Sequence, residues 1–142
     1  MDRVAPAVRS RMMSRVKGRD TGPELYVRRA LHAAGFRYRL HKGDLPGRPD
    51  IVLAGLRTAT FVHGCFWHGH DCPRGRRPTS NSAFWTVKLD RNLVRDRESA
   101  AALERSGWAV RTIWECRVEE DTQQLVEDLM RGKAQVRSES TR

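Results

Sequence analysis

Apolar residues recur along this chain with two different periods, and the periods outline helices and strands in alternation. Val27, Ala30, Leu31 and Ala34 fall at helical spacing. Ahead of them, Thr21-Gly22-Pro23-Glu24 has the chemistry of a helix start. Thr21 suits the N-cap, Pro23 the first turn, and Glu24 the second half of a capping box. Gly35 suits the helix end. Phe36 to Leu40 then reads as a strand and Lys42 to Pro49 as a turn region. Asp50-Ile51-Val52-Leu53 reads as a second strand, Ala54-Gly55-Leu56 as a tight turn, and Thr58 to His63 as the returning strand. In an antiparallel pair the start of one strand lies beside the end of the other, so Asp50 and His63 are expected close in space.

Residues 64–82 carry no period. A stretch that long without structure of its own needs a functional or stapling reason. Ser82 suits the cap of a long helix from Ala83 to Ser106, with Gly107 just past its end. Its apolar stripe reads as Val87, Val94 and Ala101, with Phe84 as core. Trp108 to Trp114 reads as a buried strand, and Asp121 to Arg131 as a last helix carrying Leu125, Val126 and Leu129. Three segments follow: a basic arm over 1–20, one domain over 21–131, and a polar tail over 132–142 expected to be disordered.

Charge changes this picture more than size does. The 142 residues suit one domain. Twenty-seven Lys and Arg against seventeen Asp and Glu leave a formal net charge of +10, which favours a polyanionic partner, nucleic acid first. No apolar run approaches membrane-spanning length and the N-terminus has no apolar signal core, so a cytoplasmic location is expected. Three cysteines are an odd count for a disulfide framework and are expected as ligands or free thiols.

The chemistry concentrates in Phe61-Val62-His63-Gly64-Cys65-Phe66-Trp67-His68-Gly69-His70-Asp71-Cys72. Three of the five histidines and two of the three cysteines fall there, beside two adjacent large aromatics. Asp50, His63 and His68 form one candidate cluster: a carboxylate to hold Mg²⁺ and imidazoles to accept a proton from water. His70, Cys72 and the distant Cys116 form a second, suited to Zn²⁺. Spacing leaves its fourth ligand open among Cys65, His68, Asp71 and Asp96. Each residue also has a plainer use: Asp50 as a turn residue, Glu24 as a cap, Cys116 as a small buried hydrophobe. Phe66 and Trp67 on the loop and Trp85 at the helix start are candidates to stack between bases. Met12-Met13 in the basic arm offers a wedge for a groove.

Four blocks in order carry a family resemblance: Leu45-Pro46-Gly47-Arg48-Pro49-Asp50, His63-Gly64-Cys65-Phe66-Trp67-His68 with His70 and Cys72, Phe84-Trp85 with Lys88, Asn92, Arg95 and Asp96, and Gly107-Trp108 with Trp114-Glu115-Cys116. Together they resemble the very-short-patch repair (Vsr) endonucleases, from about Arg9 to about Met130. The resemblance implies an α/β, restriction-endonuclease-like fold: a central mixed sheet flanked by helices, with a structural zinc site. It implies a monomeric, Mg²⁺-dependent enzyme that nicks double-stranded DNA 5′ to the thymine of a T:G mismatch and works alongside mismatch-repair proteins.

By the same match Asp50 and the backbone carbonyl of Val62 would bind Mg²⁺, His68 would be the general base, His63 would assist, and Glu24 would stand near that centre. His70, Cys72, Asp96 and Cys116 would hold Zn²⁺. Phe66, Trp67, Trp85 and Met13 would enter the DNA, with Lys88 and Asn92 facing it. Val62 stands where a relative can carry Thr, and Gly69 where one can carry His. The acidic-x-Lys of the wider fold family is absent, with Phe61-Val62-His63 in its place. Two rivals remain: a restriction-type nuclease cutting matched DNA, and a zinc-stapled DNA-binding protein without catalysis.

Overall fold

A computed structural model of the chain describes residues 21–140. The basic arm and its Met13 lie outside the described residues. Helix α1 spans Gly22–Ala33, strand β1 Arg39–Leu40, β2 Ile51–Leu53 and β3 Thr58–His63. Helix α2 spans Ser82–Arg105, β4 Ala109–Trp114 and α3 Val118–Ser140. The four strands form one mixed sheet in the order β1-β2-β3-β4. β1 and β2 are antiparallel, as are β2 and β3, whereas β3 and β4 run parallel. Parallel neighbours need a long crossover, which α2 supplies.

Alternation along the strands gives the sheet two packed faces. Ile51, Leu53 and Ile113 join Val27 and Leu31 of α1 and Leu125 and Leu129 of α3 in one buried core. On the other face Phe61, Val110 and Thr112 look towards Leu93 and Ala100 of α2 across a cavity of about 300 Å³. His63, two residues after Phe61, shares that second face. The antiparallel β2–β3 register ends at Ile51 against Thr60, while β3 continues to His63. The free edge of β3 beyond Thr60 is therefore open to whatever precedes β2, and Asp50 precedes it.

Several expectations need correction. Val87, Val94 and Phe84 are exposed, each by more than half. The inward face of α2 runs instead through Trp85, Leu89, Asn92, Leu93, Asp96, Ala100 and Leu103. Its phase is set by where the sheet lies, and polar Asn92 and Asp96 occupy that face because they have partners there. β4 is buried only at Ile113, exposed at Ala109 and half-buried between and after them. Extended pairing in the first strand is limited to Arg39–Leu40. Ser82 is the first residue of α2; the cap position belongs to Asn81, in the left-handed conformation at φ 58° and without a side-chain capping bond. α3 does not stop at Arg131 but passes through Gly132 to Ser140, so the frayed tail expected from Gly132 is helical in most of its length. One glycine costs a helix only about 1 kcal/mol, and no proline follows to end it.

Candidate active site and metal centre

The loop after β3 sends its side chains two ways. Cys65, His70 and Cys72 go to one side and meet Cys116, which lies two residues past the end of β4. The four donor atoms lie within 4.8 Å of one another. The Cys116 sulfur is 3.4 Å from His70 Nδ1, and the His70 ring stacks on Trp114 at 4.1 Å. The loop folds back through hydrogen bonds from the His70 amide to the Cys65 carbonyl and from the Gly75 amide to the Cys72 carbonyl. Gly75 is needed for this: a Cβ there would sit 1.9 Å from the His70 carbonyl oxygen. Burial opposes ionisation of Cys72, but hydrogen bonds from His70 and the Gly75 amide outweigh it and bring its thiol down to about 7. Burial pushes the Cys65 thiol up.

Three sulfurs and one imidazole at this spacing are a closed tetrahedral donor set, and they fit a structural metal. Asp96, implied as the fourth ligand by the family resemblance, is not among them. Its Oδ2 lies 2.7 Å from His68 Nδ1. Cys65 takes its place because β3 and β4 end in register, His63 opposite Trp114, so that Cys65 and Cys116 leave the sheet side by side.

His63 and His68 go to the other side with Asp96, again with donor atoms within 4.8 Å. The two imidazoles stack at 3.6 Å, only 4° from parallel. His63 is 8% exposed. Burial, reinforced by His68, drives its pKa down to about 4, so it is neutral at pH 7. A neutral ring can lie against His68 without repelling a charge that forms there. Asp96 fixes His68 through Nδ1 and leaves Nε2 as its other functional nitrogen.

Asp50 occupies the open edge of β3. Its Oδ2 accepts a hydrogen bond from the Val62 amide at 2.7 Å. Burial raises its pKa to about 6; the Val62 amide opposes the rise, Glu24 adds to it, and His41 and His68 oppose it. Glu24 points inward from the first turn of α1, 1% exposed. Thr21 caps its backbone N–H, while the carboxylate meets Arg28 at 2.6 Å and His41 Nε2 at 2.5 Å. The expected closeness of Asp50 to the end of β3 is thus met at Val62, whereas the imidazole donor grouped with Asp50 is His41.

Beside the histidines stands a three-ring cluster. Phe66 meets Trp67 and Trp85 edge-on at 5.0 and 5.3 Å, and Trp67 lies 6.0 Å from Trp85. All three rings are half-buried. Lys88 Nζ sits 5.9 Å over the Trp67 ring. Asn92 donates to the Trp67 carbonyl at 3.0 Å, so it holds the loop that carries the rings. Phe84, Lys88, Arg91 and Arg95 line a basic groove on the outer side of α2.

The profile of the family described as DNA mismatch endonuclease Vsr matches residues 1–74, a stretch that includes Glu24, Asp50, His63 and His68. A type II nicking enzyme, V.XorIIP of Xanthomonas oryzae pv. oryzae, is 47% identical over 115 residues, 81% of this chain and 85% of that protein. The DNA mismatch endonuclease Vsr of Escherichia coli is 39% identical over 110 residues, 78% of this chain and 70% of its own. V.NmeAIP of Neisseria meningitidis, another type II nicking enzyme, is 44% identical over 108 residues, 76% and 77% of the two chains.

The chain belongs to the Vsr family. As a Vsr endonuclease it is a hydrolase acting on DNA, which removes the rival of a non-catalytic binding protein. Spacing left Cys65 open as one of four candidates for the soft cluster, and the strand ends bring it there. Sequence reasoning missed two features of this Vsr site: the carboxylate of Asp96 on His68, and His41 beside Glu24. Helix phase could have found Asp96, which lies seven and eleven residues from Leu89 and Trp85 on the inward face. Strand register could have found His41, since Leu40 pairs with Ile51 and the next residue must face Asp50. No helix among the described residues is long and apolar enough to cross a membrane.

Proposed function

We propose that this Vsr endonuclease nicks one strand of duplex DNA 5′ to the thymine of a T:G mismatch and so opens repair of deaminated 5-methylcytosine. The observation that carries this reading is the placement on consecutive residues of an imidazole held by a carboxylate, His68 on Asp96, and of a half-buried indole in a ring cluster, Trp67. An enzyme built that way senses a weak base step with the same loop that does the chemistry, because unstacking costs least where pairing is poor.

Asp50 and the Val62 carbonyl would hold Mg²⁺. In an extended strand a residue's N–H and C=O face the same edge, so the carbonyl of Val62 faces the Asp50 side to which its amide already bonds. Mg²⁺ bound there supplies charge neutralisation at the phosphate and a more acidic water. His68 accepts the proton at Nε2 while Asp96 holds its Nδ1–H and stabilises the imidazolium that forms. His63 stays neutral, keeps water from one face of His68 and reaches towards the phosphate. Glu24 steadies the edge from which Asp50 projects. Phe66, Trp67 and Trp85 enter the stack from one groove and Met13 of the arm from the other, while Lys88 and Asn92 face the DNA.

Cys65, His70, Cys72 and Cys116 would bind Zn²⁺ as a staple, a set that needs the reducing conditions of the cytoplasm. The mixed sheet between helices, with its carboxylate at a strand edge, supports a restriction-endonuclease-like fold. We propose a monomer that hands its nick to mismatch-repair proteins. A labelled duplex with and without one T:G pair tests the reading: single-strand scission 5′ to the thymine in Mg²⁺ is expected only in the mispaired duplex. Equal cleavage of both strands of the matched duplex would instead establish a restriction-type enzyme.

A further inference from the structure

His41 is used by nothing in the reaction described so far, yet its place in the fold is highly determined. It follows β1 directly, opposite Asp50 across the β1–β2 ladder. Its amide donates to the Asp50 carbonyl at 3.0 Å, and the next amide, of Lys42, donates to the Pro49 carbonyl at 3.3 Å. Its backbone turns into the left-handed region at φ 45°. Histidine tolerates that conformation better than most residues. The turn takes the imidazole out of the ladder and directs Nε2 to the buried carboxylate of Glu24. Three elements thus converge on one point: the first turn of α1, the end of β1 and the start of β2.

The donor atoms of Glu24, His41 and Asp50 all lie within 4.8 Å of one another. Ligands about 2.1 Å from an octahedral ion stand about 3 to 4.2 Å apart, so only a small parting of His41 from Glu24 is needed to admit one. The other imidazoles nearby, His63 and His68, belong to the separate group with Asp96, and His68 Nδ1 is already engaged there. Glu24 can keep Arg28 as its ion-pair partner while it ligates, since a carboxylate has several acceptor positions.

We propose that His41 completes a three-donor divalent-cation site with Glu24 and Asp50, and that its nitrogen makes this site prefer Mn²⁺ to Mg²⁺. The preference follows from ligand chemistry. Mg²⁺ seeks oxygen donors and dehydrates reluctantly, whereas imidazole suits transition ions. The proposal rests on Asp50 being a cation ligand, as in the function proposed above. It extends that centre by two residues and two elements, α1 and β1. The simpler role for His41, a hydrogen bond tying the β1–β2 turn to α1, predicts no effect on metal binding.

The test is Mn²⁺ binding by the zinc-loaded full chain without DNA, followed by pulsed electron paramagnetic resonance. Wild type should bind Mn²⁺ more tightly than Mg²⁺ and show nitrogen coupling to the ion. His41→Gln should lose the coupling and weaken Mn²⁺ binding about tenfold or more, with a smaller change for Mg²⁺. His68→Ala should keep the coupling. Glu24→Gln, with zinc content and thermal melt checked as for His41→Gln, should weaken Mn²⁺ binding similarly. Coupling that is absent from wild type, survives in His41→Gln, or vanishes instead in His68→Ala overturns the site. Nicking of the T:G duplex in Mg²⁺ is scored on the same preparations. A wild type that nicks without nitrogen coupling loses the Mn²⁺ site alone, and one that shows the coupling without nicking loses the mismatch reading alone.

Discussion

One loop feeds two clusters of opposite character. On one side Cys65, His70, Cys72 and Cys116 are soft donors, four in number, that would fill every position of a tetrahedral ion. On the other, Asp50, Glu24 and His41 are mostly oxygen donors at a sheet edge, and His63, His68 and Asp96 form a further group of two imidazoles and a carboxylate. A closed set of soft ligands has no vacancy for water or phosphate and can only hold the fold together. An open set of hard ligands leaves room for both. Donor type therefore separates support from chemistry even where residues alternate along a dozen positions.

The sharpest way to break this comparison is to swap one residue between the two sides. Cys65→Ser is expected to lose bound zinc in metal analysis and to melt at a much lower temperature, since a structural zinc site contributes folding free energy directly. Asp96→Asn should retain one equivalent of zinc and lose nicking activity. Zinc loss in Asp96→Asn with full retention in Cys65→Ser would return Asp96 to the metal. Next in size, Asp50→Ala should cut Mg²⁺-dependent nicking by about a thousandfold, and His68→Ala by about a hundredfold or more, while binding of the mismatched duplex persists. Residual nicking near the wild-type rate would place the chemistry elsewhere.

Trp67→Ala should weaken binding of the T:G duplex by about 1–3 kcal/mol and leave the melting temperature nearly unchanged. Unaltered affinity would make the ring cluster plain packing. The smallest effect concerns Asp50 in metal-free protein. Its folded pKa is raised from 3.8 to about 6 by burial. The folded state therefore holds that proton more tightly than the unfolded chain. Its contribution is full below about pH 4 and is lost as pH rises through about 6. Asp50→Asn, neutral throughout, should be more stable than wild type at pH 7.5 and equal to it at pH 4, a difference on the order of 1–2 kcal/mol. His63 runs the other way. Its lowered pKa gives a contribution that is present above 6.5 and lost as pH falls through about 4, but it is common to both proteins and cancels in the comparison. A constant difference across that range would show that Asp50 does not titrate there.

Local signals in the chain were reliable where one short rule decides the outcome. Thr21 caps α1 as its spacing predicts, and β2 and β3 pair across the turn at Ala54–Leu56. The histidine- and cysteine-rich stretch supplies Cys65, His70 and Cys72 to one group and His63 and His68 to another, whereas Asp50 groups with Glu24 and His41. What escaped is set by distant packing. Val87 and Val94 obey a helical period as well as Leu89 and Leu103 do, and only the position of the sheet selects between the stripes. Asp96 and Cys65 are each chemically acceptable as a ligand. The choice between them follows from the in-register ends of two parallel strands, a pairing invisible in either strand alone. His41 carries no sequence signal of its own, because its role depends on Glu24 of α1 lying beside the end of β1.

Those parallel strands have a mechanical corollary. Cys65 and Cys116 leave β3 and β4 from paired positions, and between them the chain makes one excursion that contains all of α2. An ion gripped by both ends would turn that excursion into a ring, so that α2 and the aromatic cluster beside it would be moored twice rather than hinged once. Chelation would then slacken the reading surface before it disturbed the hydrophobic interior, and a chelated protein should forget the difference between good and faulty duplex while still looking folded.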